Sequence, residues 1–138
     1  MYIVIIPREK ARELWPFIED YCNDLAALTN GCFLAEDFLA EIERGELVLW
    51  AAYDIDRSEI VGIAMTELAN YPRRKCCRVT NIAGKDMRDW IYPMRDAIEE
   101  YAKRNGATII EANVRKGWLK VFTEVRQRNV LVYKELAR

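Results

Sequence analysis

The strongest constraint in this chain lies between residues 46 and 82, where three strand-like stretches follow one another with only turn residues between them. "ELVLWAAYD" (46–54) and "EIVGIAMTEL" (59–68) flank the polar turn "IDRS", and "NYPRR" separates the second stretch from "KCCRVTNI" (75–82). Two β-rich apolar runs joined by a short polar turn read as a hairpin. The third run, beyond a proline-containing break, extends the hairpin to an antiparallel meander. Such a sheet buries its apolar faces only against other layers, so helices must flank it.

The rest of the chain supplies those helices. Residues 2–6 form a short apolar strand stopped by Pro7. Leu14, Ile18, Tyr21, Leu25 and Leu28 share one face of a helix over 8–28, which Pro16 must kink or open. Phe38, Leu39 and Ile42 mark a second, shorter helix ending at Gly45. After the meander, Met87, Trp90, Ile91, Met94, Ile98, Tyr101 and Ala102 recur at helical spacing, and Pro93 places the regular start near Asp89 or Trp90. The next strand, 107–114, follows a helix of about four turns, which suits a parallel crossover. A helix over 116–126 and a final strand over 129–136 complete the order β-α-α-β-β-β-α-β-α-β. This is an α/β chain with a mixed α+β sheet and a single domain over 1–138.

Charge and composition narrow the chemistry. Residues 1–70 carry 5 basic and 14 acidic side chains and residues 71–138 carry 16 and 8, so balances of −9 and +8 combine to the net −1. A basic half suits a phosphate-bearing ligand. Its basic residues interleave with acids, so nucleic acid is not the expected partner. The chain has no histidine, which removes every Ser-His, Cys-His and His-metal mechanism. Cys22, Cys32, Cys76 and Cys77 contain no C-x-x-C pair, so no metal site and reduced thiols are expected. Cys76 and Cys77 alternate faces of a strand, one toward the core and one toward solvent. No apolar run approaches membrane-spanning length, and the opening "MYIVIIPREK" reads as a strand and not as a secretory leader. A cytoplasmic protein is expected.

The element order resembles the GNAT superfamily of acetyl-CoA-dependent N-acyltransferases. "ELVLWAAYDIDRSEIVGIAM" is similar to that family's central hairpin, with Gly62 facing the cleft. "VTNIAGKDMRDW" falls where the family binds the pyrophosphate of coenzyme A, and "EANVRKGW" falls where its strands splay apart to admit pantetheine. The likeness is closest to small GNAT-like proteins of tailed bacteriophages. It rests on Gly45, Leu49, Trp50, Asp54, Ile60 to Gly62, Thr66, Glu67, Tyr71, Pro72, Gly84, Trp90, Ala102, Gly106, Arg115, Gly117 and Trp118. It implies a central antiparallel meander, a splayed parallel pair, acetyl-CoA as cofactor and an amine as acceptor. Cofactor contacts would come from Ile82, Ala83, Gly84, Lys85, Met87, Arg88, Asn113 and Trp118. A helix N-terminus attracts anions independently of any family, and Lys85 and Arg88 add charge there.

The loop departs from the family's usual pattern. Gly84 stands alone and Asp86 is an acid where phosphate would arrive. The nearest carboxylates for a general base are Glu67 and Glu111. The helix over 116–126 lacks the family's usual tyrosine, leaving Tyr133 on the final strand as the candidate proton donor. Trp50, Trp90 and Trp118 also read as core anchors, and Asn113 as a strand-end hydrogen bonder. Two functions stay open. One is an N-acetyltransferase. The other is a phage protein that keeps the fold for a structural, virion or partner-binding role, in the host cytoplasm or the virion. The apolar run "VLVY" would pair across a homodimer.

Overall fold

The computed structural model describes residues 1–137. Its elements are β1 (Tyr2–Ile6), α1 (Ala11–Ala27), α2 (Ala35–Glu43), β2 (Val48–Asp54), β3 (Glu59–Asn70), β4 (Lys75–Gly84), α3 (Ile91–Arg104), β5 (Ile109–Ala112) and α4 (Trp118–Val121). Single 3-10 turns at Arg8–Lys10 and Met87–Asp89 lead into α1 and α3. The five strands form one sheet in sequence order, antiparallel through β4, with β5 parallel to β4.

The hairpin between β2 and β3 is set by local chemistry. Asp54 Oδ1 accepts the amides of Asp56 and Arg57 at 3.0 and 3.3 Å, an Asx turn that reverses the chain without a glycine. Helices cover both faces. Ile18, Cys22 and Leu25 of α1 and Phe38, Leu39 and Ile42 of α2 pack on Leu49, Ile63 and Met65. On the other face Ile91, Met94, Ile98 and Ala102 of α3 meet Trp50, Ala64, Cys77 and Val79. Trp50 Nε1 donates to Thr66 Oγ1 at 2.9 Å, so the one buried polar side chain of the sheet is satisfied.

Three expectations change. Cys76 and Cys77 are both fully buried: Cys77 packs under α3, and Cys76 lies beside Glu111 and Arg78. Of the two alternatives for Pro16, the structure places it inside α1 and not at its start. The helix over 116–126 shrinks to one turn, Trp118–Val121, and Phe122 turns extended with φ −114° and ψ 96°. Gly117 before it and the β-branched Val121, Thr123 and Val125 give this segment weak helix propensity. The strand over 129–136 is absent. Those residues have no ladder partner, and an apolar run needs a paired edge to become a strand.

Candidate active site

The site begins with a change of register. Thr66 pairs with Val79 and Met65 with Asn81, so Thr80 is an extra residue bulged out of β4. Its hydroxyl donates to Met65 O at 3.2 Å. A bulge bends its strand and increases local twist. The parallel ladder to β5 ends at the same place, with Val79 opposite Ala112 as the last pair. Beyond it, Thr80 to Gly84 continue along β3 with no strand on the β5 side. Fourth and fifth strands therefore splay apart at the bulge, and the free edge of β4 lines the opening.

The far end of this edge is a close-packed turn. Gly84 pairs with Gly62, and the Trp90 indole lies against both. A Cβ on Gly62 would overlap the indole, and one on Gly84 would stand 2.8 Å from it. Gly84 also has φ +153°, so glycine is required there for space and for conformation. Trp90 Nε1 donates to Lys85 O at 2.8 Å, and the Lys85 amide donates to Val61 O at 2.9 Å. Trp90 thus fills the space beneath the predicted phosphate loop.

The charges on that loop are already engaged. Lys85 Nζ lies 3.0 Å from Glu59, which is the first cause raising its pKa. Asp86, in a left-handed conformation at φ +51°, lies 2.7 Å from Arg57. Arg88 is exposed and forms no ion pair among the described residues. Ile82 and Met87 are half-buried against the α3 layer, and Ala83 is buried on the α1 face. Across the splay, Asn113 is exposed, while Trp118 stacks on Phe122 at 5.9 Å. Tyr92 OH donates to Val121 O at 3.0 Å, which ties α4 to the entry of α3.

A second polar group sits on the α1 face, two residues before the bulge. Arg78 lies 2.8 Å from Glu67 and 3.6 Å from Glu111. Tyr71 OH donates to both Glu111 oxygens at 2.8 and 2.9 Å, and Arg128 donates to the same carboxylate at 2.8 Å. The Tyr71 hydrogen bond, then Arg128, hold the Glu111 carboxyl below the usual carboxylate range. That stabilises its charged form and makes it a weaker base. The structure brings Glu67 and Glu111 together and leaves Tyr133 out, 76 % exposed on the C-terminal segment. Arg78, Tyr71 and Glu59 were not singled out as site residues from the sequence. The one available signal is the Glu67–Arg78 pairing implied by a hairpin folded about "NYPRR".

No group of His, Cys, Asp and Glu able to hold a metal occurs among the described residues. No helix among them is long and apolar enough to cross a membrane.

No protein-family model and no curated protein matches this chain. Solved structures do. A probable acetyltransferase is 14% identical, with 99% of this chain and 96% of that one covered and a TM-score of 0.72. A ribosomal-protein-alanine N-acetyltransferase from Brucella melitensis biovar Abortus 2308 is 12% identical, covering 98% and 100%, with a TM-score of 0.71. An aminoglycoside acetyltransferase from an uncultured soil metagenomic sample, in complex with sisomicin, is 10% identical, covering 99% and 96%, with a TM-score of 0.70. The fold is GNAT-like, and the likeness spans nearly the whole chain. These neighbours speak to that fold and not to the tailed-phage likeness.

Proposed function

We propose that this protein is an acyl-CoA-dependent N-acyltransferase that acetylates an amine. One observation carries the reading: the Thr80 bulge coincides with the end of the β4–β5 ladder, leaving a free strand edge in a fold shared with acetyltransferases. A free edge offers alternating amides and carbonyls to an extended amide-bearing chain, as it would to another strand. Pantetheine is such a chain.

The residues present fit acetyl-CoA in part. The backbone of Ile82, Ala83 and Gly84 would hold the pantetheine arm, with Asn113 and Trp118 on the opposite side. Arg88 is free for a phosphate, and Lys85 becomes free by leaving Glu59. Bound there, acetyl-CoA would supply an acyl group activated as a thioester. Backbone amides of β4 would polarise the acyl carbonyl from fixed positions, which costs no reorganisation during reaction. Glu67 and Glu111 lie beside the bulge and would orient a cationic amine. Tyr71, then Arg128, hold Glu111 in its charged form, so the amine proton leaves through water or through Glu67.

Trp90 packed beneath Gly84 is also what a scaffold without chemistry would show. Calorimetry with acetyl-CoA and CoA, alongside Lys85→Ala and Arg88→Ala, separates the two. Micromolar binding weakened in both variants is expected. No heat up to millimolar ligand overturns the acyltransferase and leaves a scaffold role, in a virion or with a protein partner.

A further inference from the structure

We propose that the cavity between α1 and the β1 side of the sheet binds an apolar amine, held as its ammonium ion. The cavity exists because α1 covers only part of its face. Ile18, Cys22 and Leu25 pack on Leu49, Ile63 and Met65, so the helix lies over the inner strands. Tyr2 and Val4, on the same face at the edge, stay 60 and 40 % exposed. Tyr2 pairs with Tyr53 of β2, and these two rings with Val4 form the floor. Side chains three and four apart share a helix face. Leu14, Phe17 and Tyr21 therefore give α1 a second apolar stripe beside its core stripe, and this stripe is the wall. The space between floor and wall is about 710 Å³, the size of a small-molecule site.

The wall is held in place before any ligand arrives. Tyr21 OH donates to Ile60 O at 3.0 Å, which ties its ring to β3. A fixed wall lowers the ordering cost of binding.

One end of the cavity is polar, and its charge is unbalanced. Asp20, Glu59 and Lys85 line it, and with Asp86 they all act on the Tyr21 hydroxyl. Lys85 is the one cation among the lining residues, and Glu59 holds it at 3.0 Å. Asp86 is held by Arg57 at 2.7 Å. Asp20 forms no ion pair among the described residues. An incoming anion would meet two carboxylates and an ammonium already engaged. An incoming ammonium would meet a free carboxylate, and the faces of tyrosine and phenylalanine rings attract cations. The remainder of the ligand must be apolar to match Val4, Leu14 and the rings. A polyamine would set further charges against those walls without partners, at a desolvation cost.

This cavity is distinct from the opening at the bulge. Lys85 is the one residue it shares with the predicted cofactor contacts, five positions beyond Thr80.

The test is calorimetry on the full chain at pH 7 with n-octylamine, n-octanol and n-octanoate, which share a length and differ in charge. Octylamine is expected to bind with a dissociation constant below about 1 mM, at least about fivefold tighter than octanol, and octanoate more weakly still. Asp20→Asn should weaken octylamine binding by about threefold, and Phe17→Gln by at least as much. Both side chains are exposed, and circular dichroism checks that both variants fold. No octylamine binding up to about 10 mM overturns the inference. So does equal affinity for the three compounds, or binding that neither substitution moves. Sedimentation of the native protein tests the other occupant of such a face. A dimer whose dissociation constant responds to Phe17→Gln, with octylamine excluded at high protein concentration, would give the cavity to a second copy and overturn the amine. None of these outcomes depends on acetyl-CoA.

Discussion

The Trp90 indole lies across Gly62 and Gly84 at once, closing the end of the β3–β4 ladder with one side chain. Both glycines face it, and a Cβ on either would collide with the ring or the neighbouring strand. The indole is fully buried and donates to Lys85 O at 2.8 Å. The loop that approaches the helix entry is therefore positioned from below.

Gly62→Ala should destabilise the protein by about 1–3 kcal/mol through overpacking. Trp90→Ala should cost about 3–5 kcal/mol through the cavity it leaves. Trp90→Phe keeps most of the packing and loses the bond to Lys85 O, so about 1–3 kcal/mol is expected from the unpaired carbonyl and lost volume. Urea unfolding monitored by circular dichroism gives all three values. A Gly62→Ala protein as stable as the native one would contradict the close approach.

The thiols should differ sharply in reactivity. Burial raises Cys22 to about 12 and Cys77 to about 11, and it raises Cys76 as well. A raised thiol pKa leaves little thiolate at pH 8, and the thiolate is the nucleophile. Cys32 is the exposed one. Maleimide labelling of the native protein, read by mass spectrometry, should modify Cys32 alone within minutes. All four should label in denaturant. Fast native labelling at Cys76 or Cys77 would show that β4 opens.

The order of elements through α3 was legible because each carries its own period: two in the strands, near 3.6 in the helices. The tail was not. Val130 to Tyr133 form a continuous apolar, β-rich run as a buried strand does, but such a run says nothing about whether an edge is available to pair. Cys76 and Cys77 show the same limit. The two-residue period puts them on opposite faces; α3 covers Cys77, and Cys76 is buried beside Glu111 and Arg78. In the site, Gly84 and Lys85 were found from strand–glycine–helix spacing. The Glu67–Arg78 pair follows from a hairpin folded about NYPRR, but Glu59 beside Lys85 and Glu111 opposite Arg78 depend on registers that the local sequence does not encode.

Glu111 should tie stability to acid pH. Its carboxyl is held below the usual carboxylate range, first by the Tyr71 hydrogen bond and then by Arg128. A carboxyl depressed in the folded state binds its proton first in the unfolded state. Its stabilisation is therefore complete above the unfolded value, about 4.3, and is lost as pH falls through the lower folded value. Glu111→Gln should lose about 1 kcal/mol at pH 7 and flatten the decline in stability below about pH 4. Thermal melts of both proteins from pH 7 to pH 3 measure this. Parallel curves at all pH values would remove Glu111 from the acid response.

Lys85 and Glu59 set the last expectation, which concerns the cofactor. The 3.0 Å pair between them competes with any phosphate that would use the same ammonium. Both side chains are more than a third exposed, so the competition is screened by solvent and modest in size. Glu59→Gln should release Lys85 and tighten CoA binding by about threefold. Lys85→Ala should weaken binding, and in that background Glu59→Gln should add little. The double-mutant cycle isolates the coupling, because the two substitutions share one partner. Dephospho-CoA and pantetheine provide the control. The Glu59→Gln gain should persist with dephospho-CoA, which keeps the pyrophosphate, and vanish with pantetheine, which lacks it. A gain that survives with pantetheine would place Lys85 away from the pyrophosphate and shift that role to Arg88.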